Sequence, residues 1–296
     1  MKEKAILNPT NDYVFKRIFG RKNNEDITRG FIEAVTGVRY EEINLEDTPI
    51  LERDLLENKM GILDVKVIAN KYNDIDIEMQ VVKSEHIADR ILWYWSKIYS
   101  ASIERGKGYS STKRAICILI ADFSLVNLKN IPNYHTIWNI RESKYSNIIL
   151  TEKLEIHIIE LEKLENMKEL TVENKKLLNW CKFIKSPDSV EASIMKENEE
   201  IRKAKEELDK ISQDAKERRL AELREKALMD EIAIRDSGYN EGHDDGKKEG
   251  KIEGKIEGRK ETQTEIAKNM LNGKFTVEQI SELTGLSVNE IKKLKE

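Results

Sequence analysis

Between residues 61 and 80 the chain reads GILDVKVIANKYNDIDIEMQ, where Asp64, Glu78 and Gln80 have types and spacing that could do chemistry. Apolar and polar residues alternate on both sides of NKYN, which predicts two strands joined as a hairpin. Leu63, Val65, Val67, Ile75, Ile77, Met79 and Val81 share one face; Asp64, Lys66, Asp74, Asp76, Glu78 and Gln80 share the other. If the hairpin closes about Lys71, Ile68 faces Asp74, Lys66 faces Asp76 and Asp64 faces Glu78. Lysine opposite aspartate is a favourable cross-strand pair, whereas Asp64 opposite Glu78 sets like charges about 5 Å apart. A divalent cation between the carboxylates resolves that clash and brings a Lewis acid of the kind phosphodiester hydrolysis uses. On spacing alone, the same residues also read as the wet face of an amphipathic hairpin, its one repulsive pair relaxed by water.

Several elements must position this hairpin. NPTNDYVFKRIFG predicts a helix capped by Thr10 or Asn11, with Val14, Ile18 and Phe19 as its stripe. A second helix is expected over 26–35, stopped by Gly37, and alternation over 44–51 adds a strand before the hairpin. After it, Ile87, Ile91, Trp95 and Ile98 recur at helical intervals, predicting about five turns closed by Gly106 and Gly108. RAICILIADF is continuously apolar, as a central strand buried on both faces would be. YHTIWNIRES and LEIHIIEL read as further strands and 164–184 as a helix. The order implies an α/β or α+β domain with one mixed sheet over residues 1–185.

Asp64, followed after a turn by Glu78-Met79-Gln80, resembles the PD-(D/E)xK nuclease motif in the form used by the Rpn family of recombination-promoting nucleases and transposases. NDYVFKRIFG is similar to that family's opening helix, RILWYWSKIYS to the helix after its Glu-x-Gln strand, and the glycine-rich tail ending in TGLSVNEIKKL to its C-terminus. The resemblance implies a restriction-endonuclease-like mixed sheet flanked by helices, and a DNA endonuclease linked to recombination or transposition. It implies Mg²⁺, or another divalent cation such as Mn²⁺ or Ca²⁺, held by Asp64 and Glu78. Gln80 stands where the wider superfamily has lysine; an amide can orient water or a phosphate oxygen but carries no charge. Leu63 replaces the motif proline, which has no chemical role. Asp12 matches an acidic position that could lie near the metal, and reads equally as a helix N-terminal charge. Lys83 and Arg90 are candidate DNA phosphate contacts or plain surface. Trp93, Trp95 and Tyr99 read as packing, and His86, His135, His157 and His243 show no pairing that suggests a relay or zinc.

The chain has 296 residues, 36% of them charged, with a net charge of −4, so any DNA contact must be a local patch. Cys117 and Cys181 are far apart and give neither a disulfide framework nor a zinc motif. The opening MKEKAILNPTND has no signal-peptide core, and the longest apolar run, 115–121, is too short for a bilayer; no membrane role and a cytoplasmic setting are expected.

Beyond residue 185 the character changes. Residues 186–236 lack glycine and carry Ile201, Ala204, Leu208, Ile211 and Ala215 on a thin stripe that slips before Leu220, short of a sustained coiled-coil heptad. A solvated charged helical arm is expected there, with homo-oligomer formation through it as one use. Glycines 238, 242, 246, 250, 254 and 258 recur every fourth residue among charges, reading as a linker over 237–260. Residues 261–296 read as a helix-turn-helix-like tail, with capping boxes at Thr276/Gln279 and Ser287/Glu290 and apolar pairs Ile280/Leu283 and Ile291/Leu294. Its five lysines against six glutamates fit a DNA contact or a protein-interaction module. The rival function is a non-catalytic DNA- or protein-binding factor with a vestigial nuclease core. A self-associating helical scaffold would explain the arm but not the hairpin.

Overall fold

The computed structural model describes residues 5–46, 50, 64–103, 106–166, 172–273 and 275–294. The chain forms two units, residues 1–230 and 231–296.

In the first unit, Asn11 caps α1 (Asp12–Phe19) by accepting the backbone amides of Tyr13 and Val14. Helix α2 (Glu25–Thr36) stops where Gly37 turns left-handed at φ 69°. Strands β1 (Ile43–Leu45), β2 (Val65–Ala69) and β3 (Asn73–Gln80) follow, then α3 (Ile87–Ala101), β4 (Arg114–Ala121), β5 (His135–Trp138), β6 (Leu154–Glu160) and α4 (Val172–Lys185). The six strands are ordered β1-β2-β3-β4-β6-β5. β3, β4 and β6 run parallel, and the remaining pairs are antiparallel. This mixed sheet flanked by helices is the expected class.

The β2–β3 register is the expected one, with Ile68 opposite Asp74 and Lys66 opposite Asp76. Asn70 and Lys71 turn the chain with φ of 49° and 60°, the two positive values a type I′ hairpin turn needs. Strand β4 is buried along nearly its whole length at the centre of the sheet, also as expected. Leu63 and residue 51 lie outside the described residues, so the expected strand over 44–51 is seen only in β1. Helix α3 has 15 residues and ends at Ala101, before Gly106. The helix expected over 164–184 follows a 3₁₀ turn, Leu161–Asn166, and is seen from Val172.

Parity divides the sheet's two faces. Ile75, Ile77, Ile116, Ile118 and Ile159 join the larger core with α1, α2 and α4, while Cys117, Leu119, Ile156 and Ile158 pack with Ile87 and Ile91 of α3. An aromatic cluster ties the helices on the larger face: Phe15 stacks on Phe19 at 4.4 Å, and Trp180 lies 5.6 Å from Phe19 and 5.8 Å from Phe31. Each such pair contributes about 0.5–1.5 kcal/mol beyond its area.

Residues 186–230 are not a solvated arm. Helices α5 (Ala192–Glu197), α6 (Glu199–Gln213) and the start of α7 (Ala215–Asn272) bring Ile201, Ala204, Leu208, Ile211, Leu220 and Ala221 into the same core. The stripe is thin because three small or aliphatic positions per two turns suffice to seat α6, and the charges occupy its outer side. The start of α7 is also clamped by charge. Glu217 accepts from Tyr13 Oη at 2.6 Å, Arg17 Nε at 2.8 Å and Arg21 Nη2 at 2.7 Å.

In the second unit α7 continues to Asn272, so the stretch 237–260, expected as a linker, is helical throughout. Nothing stands within 4 Å of where a Cβ on any of Gly238, Gly242, Gly246, Gly250, Gly254 or Gly258 would lie. Three of every four residues there are mostly good helix formers of both charge signs, which offset the roughly 5 kcal/mol that six glycines cost. Helices α8 (Val277–Thr284) and α9 (Val288–Lys293) each carry the expected capping box and are joined through Gly285 at φ 74°. Ala267, Ile280, Leu286 and Ile291 form their core. Leu283 was expected on that apolar face but is 69% exposed; Leu286, in the turn, fills the space.

Candidate active site

Strand β3 places Asp74, Asp76, Glu78 and Gln80 on the face toward α3, and Asp64 immediately precedes β2, one step beyond the Val65–Ile77 pair. Asp64 is therefore opposite Glu78, and the two carboxylates lie on one face. That face is not wet. Asp64, Asp76 and Glu78 are 6%, 5% and 7% exposed, because α3 covers the end of the sheet.

Burial sets their chemistry. The Asp64 carboxyl is pushed up to about 6 by loss of water, against the pull of Arg90, Lys16 and Lys66. Glu78 is pushed up to about 7 by burial and by the Asp64 charge, with Arg90 opposing. Asp76 is raised well above the usual carboxylate range by burial and by both neighbours. Among the described residues, Asp64 Oδ2 and Asp76 Oδ1 are buried without a hydrogen-bond partner. Arg90 Nη2 reaches to 2.5 Å from Glu78 Oε1 as an ion pair, although its N–H groups are not aligned on that oxygen.

Asp76 was read from the sequence as Lys66's partner. Lys66 does stand opposite Asp76 and its charge draws on Asp76 and Asp64 alike, with its Nζ also 4.0 Å from Glu46, while Asp76 is buried with the other two acids. The signal was parity: positions 76, 78 and 80 share a face. Gln80 is half-buried, and its Nε2 donates to the Val82 carbonyl at 3.1 Å, leaving Oε1 as an acceptor.

Asp12 is buried and accepts Arg224 in a fork, Nε at 2.8 Å from Oδ1 and Nη2 at 2.6 Å from Oδ2. Its charge still reaches Asp64 and Glu78, raising both. Lys16, one turn further along α1, is 5% exposed and donates from Nζ to the Asp64 backbone carbonyl at 3.3 Å. Lys83 is exposed, and Arg90 turns inward to Glu78 and lies 5.5 Å from the centre of the Tyr94 ring.

An open groove of about 1000 Å³ leads to the carboxylates, lined by Asp64, Asp76, Trp93, Tyr94, Lys97 and Lys113 among others. Trp93, expected as packing, is half-exposed in this groove with Lys97 Nζ 5.3 Å from its ring. Trp95 does pack, stacking on Tyr99 and donating to the Ala115 carbonyl. The Tyr94 hydroxyl is buried and its proton held tightly by burial and by the Asp64 and Glu78 charges. It was missed from sequence, although it lies one helical turn from Arg90.

The histidines correct another expectation. His135 Nε2 meets His157 Nδ1 at 2.9 Å, and His157 Nε2 meets Glu155 Oε1 at 2.8 Å. The antiparallel β5–β6 register makes the two histidines diagonal neighbours, which no local spacing reveals. The trio lies on the sheet face away from α3, apart from the carboxylates.

The donor set suits a hard divalent cation. All its atoms are carboxylate oxygens, two of them buried and unpartnered, and the thiol of Cys117, the β4 neighbour of Asp76, is pushed up by burial and by the three acids and so stays protonated. Among the described residues no group of three or more His, Cys, Asp or Glu side chains is arranged to hold a metal ion, so the two carboxylates Asp64 and Glu78 are the donors to be considered. No helix among the described residues is long and apolar enough to cross a membrane.

The family model described as PD-(D/E)XK nuclease family transposase matches residues 9–238, and that of the Rpn/YhgA-like nuclease family, C-terminal HTH domain, matches residues 260–296. No curated protein matches the chain, and no solved structure does.

Proposed function

Because the chain belongs to the PD-(D/E)XK nuclease family transposase family, we propose that it is a metal-dependent DNA endonuclease serving recombination or transposition. The observation that carries this reading is the buried trio Asp64, Asp76 and Glu78, with unpartnered oxygens at the end of a lysine- and tryptophan-lined groove. Asp64 and Glu78 are the residues that would hold a divalent cation. When bound, such an ion lowers the pKa of water and neutralises charge on phosphate.

The chain's own groups do the rest. Arg90 holds Glu78 in place and lends positive charge beside the phosphate. Gln80, its amide anchored on Val82, orients the attacking water through Oε1. Hydrolysis adds the water oxygen to phosphorus, breaks one P–O ester bond, and delivers the water's proton to the departing oxygen. Lys97, Lys113 and Trp93 face the strand in the groove, and the helix-turn-helix unit offers a second DNA contact.

The test is nicking of supercoiled plasmid with Mg²⁺, Mn²⁺ or Ca²⁺ by wild type, Asp64→Ala and Glu78→Ala. Cleavage by wild type in at least one metal, reduced by about 10²-fold or more in both variants, is expected. Equal cleavage by all three proteins, or none in any metal, overturns the reading.

A further inference from the structure

Gln80 leaves the motif without the positive charge a lysine would place there, yet an ammonium reaches the site from another element. Lys16 comes from α1 and is 5% exposed, and Gly20 one turn on leaves room for its stem, since a Cβ there would lie 3.0 Å from Lys16 Cγ. From this buried position Nζ donates to the Asp64 carbonyl at 3.3 Å. Removing an ammonium from water costs several kcal/mol unless nearby negative charge offsets it. The charges it answers to include Asp64 and Asp76.

We infer that Lys16 supplies from α1 the positive charge that position 80 on β3 lacks, acting as a positioning residue that anchors the backbone at Asp64 and so holds that carboxylate in place. This rests on the reading that these carboxylates form a phosphodiester-hydrolysing site. Lys16 keeps its protons throughout: it offsets the negative charge of the acids and of the attacked phosphate, and the water's proton still ends on the departing oxygen.

The experiment compares wild type, Lys16→Met, Lys16→Arg and the double variant Lys16→Met/Gln80→Lys. Plasmid nicking and thermal melting are recorded, and Mn²⁺ binding is measured by calorimetry. Lys16→Met is expected to lower turnover by about 10–100-fold, the usual effect of removing a group that holds a metal-ligating residue in place. It weakens Mn²⁺ binding, since Asp64 is then no longer held in place. Lys16→Arg retains most activity. The double variant recovers at least tenfold in turnover while melting like the single variant, a rescue that a merely structural lysine would not give. Wild-type turnover in Lys16→Met, or a double variant no better than the single, overturns the inference. If Lys16→Met does not fold, Lys16→Gln carries the same comparison; failure of both to fold assigns the residue to the core and also overturns it. A wild type that neither binds Mn²⁺ nor cuts DNA removes the underlying reading, whereas an active wild type with an active Lys16→Met removes this inference alone.

Discussion

Glu217 and Glu78 are both drawn into the first unit, yet they are compensated in opposite ways. Glu217 receives one tyrosine and two arginines, and nearby Asp12 takes the full fork of Arg224. Glu78 has a single imperfectly aligned arginine and shares its space with Asp64 and Asp76, each keeping an oxygen without a partner. The first set is closed within the chain and holds helices together. The second is left short of positive charge, as suits groups reserved for something that arrives from outside. Burial alone does not separate structure from function here; the completeness of the partners does.

The sharpest break of this contrast is Arg224→Met. Leaving Asp12 buried and unpaired is expected to cost about 3–5 kcal/mol, read as a lower denaturant midpoint at unchanged slope. A loss under 1 kcal/mol would erase the distinction between the two sets. Next comes pH. A carboxyl whose folded pKa is raised adds stability below its unfolded value near 4, and loses it as pH rises through the folded value. For Glu78, at about 7, that loss is on the order of 3 kcal/mol between acid and alkaline conditions without metal. Denaturant melts in chelator at pH 5 and pH 8 should show it, and Glu78→Gln should flatten the difference. The smallest effect is expected at Asp74, the neighbour on β3 that is paired, at 3.0 Å, with the partly exposed Lys113. Lys113→Met should cost under about 1 kcal/mol in the same assay. A larger loss would place Asp74 among the reserved acids.

Much of this was legible from residue order, and the misses have a common cause. Hairpin register followed from parity, and with it the opposition of Asp64 and Glu78, because a one-residue slip of either strand would have turned Val65 and Val67, or Ile75 and Ile77, away from the core. Lys66 opposite Asp76 follows from the same parity, but the burial of Asp76 with the other acids needed the cover that α3 provides, which no spacing shows. The 199–228 segment reads as solvent-facing because its charges outnumber a stripe of single residues per turn. Its true partners, Tyr13, Arg17 and Arg21, are about two hundred residues away. The histidine pair needed the β5–β6 register, and the glycine repeat needed its charged fillers weighed as helix formers rather than as low complexity.

The clamp of α7 on α1 also has a consequence in time. Asp12 and Arg224 are separated by 212 residues, so at about 5–20 residues per second roughly ten to forty seconds of synthesis pass between them. The hairpin acids are made early in that interval, but α1, with Asp12 and Lys16, is not locked until its last partners emerge. A growing chain, or a fragment cut short before Arg224, thus carries every motif residue before the clamp that fixes α1 beside Asp64 exists.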